Sequence, residues 1–189
     1  MRWVAGSLLV VSAVVGCDRA TPTGTSNSTG NPPVVVGSLR PLRFAPGAPP
    51  LQTYDTTVTI VQGRHNWLEI FHEDLTWFIT LDIPPSAQFV SADGTPVPNG
   101  EAVSLRARVD SPYVSFEFQP HGSYFTGSRP VELWVGLKHL DLEGRSEFPD
   151  IWYQADSNEP WTALPTEVRL SGQWLVVQLT HFSNYAVAF

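Results

Sequence analysis

The triplet His181-Phe182-Ser183 sets a base and a nucleophile two residues apart. Attack of Ser183 Oγ on the Phe182 carbonyl would turn the amide into an ester, which water then hydrolyses. His181, with an unperturbed pKa near neutrality, is the side chain suited to take the hydroxyl proton. Strain in the scissile peptide would have to drive the shift. The same residues also read as plain structure. In a strand His181 and Ser183 share one face and Phe182 takes the other, so Phe182 anchors the strand while its neighbours hydrogen-bond at a corner. Only six residues follow Ser183, so a released piece would be one strand. The structural reading is adopted, with cleavage between Phe182 and Ser183 kept as an alternative.

Recognition is the second chemistry. A tryptophan exposed on a sheet face stacks on sugar rings. Trp134 and Glu132 fall together on the face opposite Val131, Leu133 and Val135. Trp152 is expected to join this candidate ligand face, as are Trp67 and Trp174, whereas Trp77 is expected in the core.

Two acidic clusters invite a metal reading. His65, Glu69, His72, Glu73 and Asp74 lie within ten residues, but the second His of a His-Glu-x-x-His motif is missing. Asp141, Glu143, Glu147 and Asp150 surround Gly144 without the spacing of an EF-hand. Both are read as solvated polar segments. No Gly-x-Ser-x-Gly elbow, Walker loop, dinucleotide glycine run or paired-Cys metal motif occurs. The expectation is therefore a non-enzymatic protein with no cofactor and no metal.

The single cysteine, Cys17, states an address. It follows an apolar run from Trp3 to Val15 that is too short to cross a bilayer as a helix. A positive start at Arg2, an apolar middle and small residues at the end form a secretory signal peptide over residues 1–16. The ending Val14-Val15-Gly16-Cys17 resembles the bacterial lipoprotein lipobox, with Val14 where Leu is commoner. That resemblance implies that Cys17 becomes the mature N-terminus, is lipidated, and anchors the chain to a membrane of the cell envelope. Residues 17–33 lack a large apolar side chain and read as a tether. Removing residues 1–16 takes away one charge, Arg2, leaving ten Lys and Arg against eighteen Asp and Glu, a net charge of −8. Such a surface argues against nucleic acid and against a basic patch for anionic lipid, so membrane attachment rests on the acyl chains. The partner is an unidentified protein or glycan.

Residues 34–189 must position these groups, and they read as β. Apolar and polar residues alternate with period two in Glu101–Val109, Tyr113–Gln119, Val131–Leu137 and Leu75–Ile83. In the last of these Leu75, Trp77, Ile79, Leu81 and Ile83 are expected on one side. Further strands are expected at Thr56–Val61, Ile151–Ala155, Val168–Leu170, Gln173–Leu179 and Tyr185–Phe189. Turn chemistry separates them, for example Asp93-Gly94-Thr95-Pro96 and Asn99-Gly100, and seventeen prolines break most helices of useful length. About nine short strands at this spacing predict an all-β fold, an antiparallel β-sandwich. One segment stays ambiguous: Trp67, Phe71 and Leu75 have helical spacing, yet Asn66–His72 also suits a strand.

Four pieces in order carry a resemblance. They are Ile83-Pro84-Pro85-Ser86-Ala87; Phe116 to Gly122 followed by Phe125, Pro130, Val131 and Leu133; Ile151-Trp152-Tyr153 followed by Trp161 and Leu164; and Thr180 to Val187. Together they are similar to the ZU-five domain, named for zonula occludens and netrin-receptor proteins, as found in bacterial surface lipoproteins. The resemblance implies a β-sandwich with a scaffolding or interaction role. Some members of that class cut themselves within a His-Phe-Ser triplet, which is what the alternative at Phe182–Ser183 would require.

Overall fold

The computed structural model describes residues 34–189. Cys17, the signal peptide and the tether lie outside the described residues. Fourteen strands form: β1 Val35–Val36, β2 Asp55–Val61, β3 Asn66–Phe71, β4 Trp77–Ile83, β5 Ala87–Val90, β6 Ala102–Asp110 and β7 Ser115–Gln119. They continue as β8 Tyr124–Gly127, β9 Val131–Gly136, β10 Asp150–Gln154, β11 Trp161–Ala163, β12 Glu167–Arg169, β13 Trp174–Leu179 and β14 Asn184–Ala188. All pairings are antiparallel. One sheet has the order β1-β11-β10-β14-β7-β6-β2, the other β12-β13-β9-β4-β3, and β5 and β8 make a small third sheet. The fold is an antiparallel β-sandwich.

The nine expected strands are all present, with ends shifted by one or two residues. The other five are β1, β3, β5, β8 and β11. β3 resolves the ambiguous segment as a strand, because Leu68 and Ile70 alternate into the core. The rest are two to four residues long, too short for alternation to register in the sequence.

The core is one apolar layer between the two larger sheets. From one side come Leu68, Ile79, Leu81, Leu133, Val135, Leu175 and Val177; from the other come Leu105, Ala107, Phe116, Phe118, Ile151, Tyr185 and Val187. At one end Phe182 meets Phe89, Phe118 and Phe125 with ring centroids 5.9, 5.7 and 5.2 Å away. Gln62 ties in the small sheet. Its buried amide donates to Ala87 O at 2.8 Å and accepts from Phe89 N–H at 2.9 Å, imitating a strand partner for β5. Gly127 sits opposite Ala87 at φ +131, where a Cβ would lie 2.1 Å from Ser86 O, so only glycine fits.

The core expectation for Trp77 is corrected. The β3–β4 register slips at Ile70/Phe71, with Ile70 opposite Ile79 but Phe71 opposite Trp77. Phe78 is the extra residue of a β-bulge, and Phe78 and Ile79 are both fully buried. An inserted residue reverses the facing of everything beyond it. Trp77 therefore turns outward and is 47% exposed, and Leu75, in the turn before it, is 72% exposed.

Candidate ligand groove on the outer face of the five-stranded sheet

The outward positions of the five-stranded sheet follow from its register. Trp67 stands opposite Asp82 and Glu69 opposite Thr80 on β3 and β4; Asp82 stands opposite Glu132 and Thr80 opposite Trp134 on β4 and β9. Trp174 faces Gly136 across β13 and β9. Alternation thus brings Trp67, Trp134 and Trp174 to one surface, and the bulge adds Trp77. The four indoles line a groove of about 830 Å³ together with Glu69, Thr80, Asp82, Gly136 and the rim residues Lys138 and Leu170. That volume lies within the range of about 300–1,000 Å³ usual for small-ligand sites.

The floor is open because of Gly136. A Cβ there would stand 2.5 Å from Trp77 O and 3.7 Å from the Trp174 ring. The indole walls are oriented by carboxylates. Trp77 Nε1–H donates to Glu69 Oε1 at 3.2 Å, and Trp134 Nε1–H donates to Glu132 Oε2 at 3.1 Å. Glu132 is in turn held by both terminal nitrogens of Arg169, whose guanidinium lies 5.0 Å from the Trp134 ring centroid. The Glu132 and Glu167 carboxylates hold the Arg169 pKa above its ordinary value. Trp134 and Trp174 meet edge to face at 6.1 Å. Trp67 carries the His65 ring at 4.1 Å, and His65 pairs with Asp82.

One rim is built by a turn. Asp74 Oδ1 accepts the Thr76 N–H at 3.0 Å, while Asp74 Oδ2 accepts from Lys138 Nζ at 3.1 Å and from His139 Nε2 at 3.0 Å. Hydrogen bonds from Thr76, Lys138 and His139 hold the Asp74 carboxyl well below the usual carboxylate range. Leu75 and Leu170, in the hairpin turns β3–β4 and β12–β13 at the same end of the sheet, adopt left-handed backbone angles, φ 65 and 50.

Trp134 and Glu132 lie together as expected, but Trp152 does not join them. It belongs to β10 in the other sheet. Ile151 points into the core, so alternation sends Trp152 to the reverse face, where it is 5% exposed and its Nε1–H donates to Ala188 O at 3.2 Å. Gly136 is not singled out by the sequence, and Trp77 joins the groove against its core expectation. The signal for Trp77 was Phe78-Ile79, two large apolar residues side by side in an alternating run.

The His181-Phe182-Ser183 triplet sits at the other sheet. Ser183 is buried, and its hydroxyl points to Gln154 O and Ala155 O, each 2.7 Å away. His181 Nδ1 lies 2.9 Å from Thr180 Oγ1, and burial lowers the His181 pKa. The Phe182 carbonyl accepts from Gly122 N–H at 3.2 Å, and the Phe182 ring is in the core. Among the described residues no hydrogen bond joins Ser183 Oγ to His181, so the hydroxyl serves as a clip between β14 and the end of β10.

The acidic clusters disperse. His72 is buried and its Nδ1 bonds Pro49 O at 2.7 Å, whereas His65 and Glu69 face outward. Glu143 and Glu147 pair with Arg145, and Glu143 also with Arg40. Among the described residues no group of three His, Cys, Asp or Glu side chains is placed to hold a metal ion. No described helix is long and apolar enough to cross a membrane. Comparison with family models, with curated proteins and with solved structures gives no match.

Proposed function

We propose that the protein is a non-catalytic binding module of the bacterial cell envelope, anchored through lipidated Cys17, that holds carbohydrate in the tryptophan groove. One observation carries the ligand reading: four tryptophans on one sheet face, Trp67, Trp77, Trp134 and Trp174, enclose a single groove with carboxylates at hand. Exposed indoles are costly in water unless they meet a partner, and a pyranose offers a C–H face to the ring and hydroxyls to its polar neighbours. Indoles already fixed by hydrogen bonds lose little freedom on binding. The lipobox-like ending at Cys17 supports the anchor, and the ZU-five resemblance supports an interaction role without catalysis.

The test is a titration of tryptophan emission with a broad panel of soluble glycans. At least one class should shift or quench the emission saturably, and Trp134→Ala should remove the response. Unchanged emission across the panel rejects the carbohydrate reading. The anchor has its own test: Cys17→Ser should move the protein from the membrane fraction to the soluble one, and retention in the membrane rejects lipidation.

A further inference from the structure

Charge along the groove narrows its ligand. Glu69 and Asp82 line it, and Glu132 stands beside Asp82 on the same face. Two cations border it, and each is already engaged: Lys138 by Asp74, and Arg169 by Glu132 and Glu167. Glu69 offers its carboxylate only to the Trp77 indole N–H. A ligand in the groove therefore meets carboxylate oxygens and ring faces, with no free cation among these residues to neutralise an anion.

Resting on the carbohydrate reading, we infer that the groove takes a neutral oligosaccharide of gluco or xylo type and rejects anionic glycans. Two requirements meet in that class. Stacking on indole needs a flat C–H face, which pyranoses with equatorial hydroxyls present on both sides. Hydroxyls donate to Glu69 and Asp82 at no charge cost, whereas a uronate, sulfate or phosphate group would face them as a like charge in a partly desolvated site. The alternative of a second copy of this chain in the groove is disfavoured by the same carboxylates, because the chain itself carries a net charge of −7.

The experiment uses the full chain in mild detergent and three probes: cellohexaose, xylohexaose and hexagalacturonate, titrated by tryptophan emission at low and at physiological salt. At least one neutral hexamer should bind, and hexagalacturonate should bind about tenfold more weakly at low salt, the gap narrowing as salt rises. The double variant Glu69→Gln, Asp82→Asn should bring the ratio of the two affinities toward unity, whatever its absolute affinities. Binding of hexagalacturonate as tight as or tighter than the neutral hexamers overturns the charge inference and leaves the carbohydrate reading standing. Silence toward all three probes overturns the gluco or xylo inference, and the broad glycan panel then decides the carbohydrate reading. A concentration-dependent dimer abolished by Trp77→Ala would put a second copy in the groove and overturn the inference as well.

Discussion

At the residue scale, what decides between recognition and catalysis is where a proton and a ring are held. The Ser183 hydroxyl is directed at two main-chain carbonyls, so its loss should be felt in stability. Ser183→Ala removes the hydroxyl from these partly exposed carbonyls and should cost about 0.5–1.5 kcal/mol in denaturant unfolding. The intact mass of the unsubstituted protein should show no loss of the Ser183–Phe189 peptide; a mass short by that peptide, restored by Ser183→Ala, would instead make the triplet a cleavage site. Phe182→Ala opens a hole among three phenylalanines and should cost about 3–5 kcal/mol. The cost of Gln62→Leu should be about 1–3 kcal/mol, because two buried main-chain groups of β5 lose their partner. A melting temperature unchanged by that substitution would show β5 to be held by other contacts.

At the level of elements, the groove depends on one inserted residue. Were β4 a regular strand with Phe78 in place, alternation from Ile79 would turn Trp77 into the core; the bulge at Phe78 keeps Trp77 on the outer face, where it walls the groove. Deleting Phe78 leaves Trp77 directly before the inward Ile79 and so still outward; it should cost stability through the lost buried ring and leave ligand-induced quenching in place, whereas Trp77→Ala should weaken the quenching alone. Gly136→Ala is the complementary change: its methyl meets the Trp77 carbonyl, so it should lower both the melting temperature and the ligand response. A Gly136→Ala protein indistinguishable from the parent would mean that the floor yields freely.

The same elements show what could be read from the sequence. Long alternating runs were legible because half of each strand faces one core, which is why β6, β7 and β9 were anticipated residue by residue. The ligand face was legible at Trp134 and Glu132 because they lie two apart on one strand. Trp152 was misplaced because alternation assigns a residue to a face of its own sheet, not to one of the two sheets. β3 was ambiguous because Trp67, Phe71 and Leu75 mimic a helical repeat while in fact lying outside the core contributed by Leu68 and Ile70.

For the whole molecule, acid sensitivity follows from several groups acting in one direction. Burial is the main cause lowering the pKa of His72 and of His181, so the unfolded chain takes up protons at these sites first. Their contribution is complete above the unfolded histidine value of about 6.5 and is lost as pH falls below it. Asp74 and Asp93, lowered chiefly by hydrogen bonds from Thr76 and Thr95, and Asp55, lowered chiefly by Arg106, add a second loss as pH falls below about 4. Asp150, raised by burial, opposes this. The melting temperature should therefore drop in two stages, between about pH 7 and 5 and again below about pH 4. His72→Gln should flatten the first stage; an unaltered profile would assign it elsewhere.

The position of β14 bears on how such a chain is made. It is the last of the fourteen strands to leave the ribosome, yet it lies between β10 and β7 in the middle of the seven-stranded sheet. Until it arrives, that sheet is two separate ribbons with unpaired edges and an uncovered core. A nascent chain of this topology cannot close that sheet early. A chain ending at Phe182 should melt without a cooperative transition, and the completed chain should acquire its stability in a single late step.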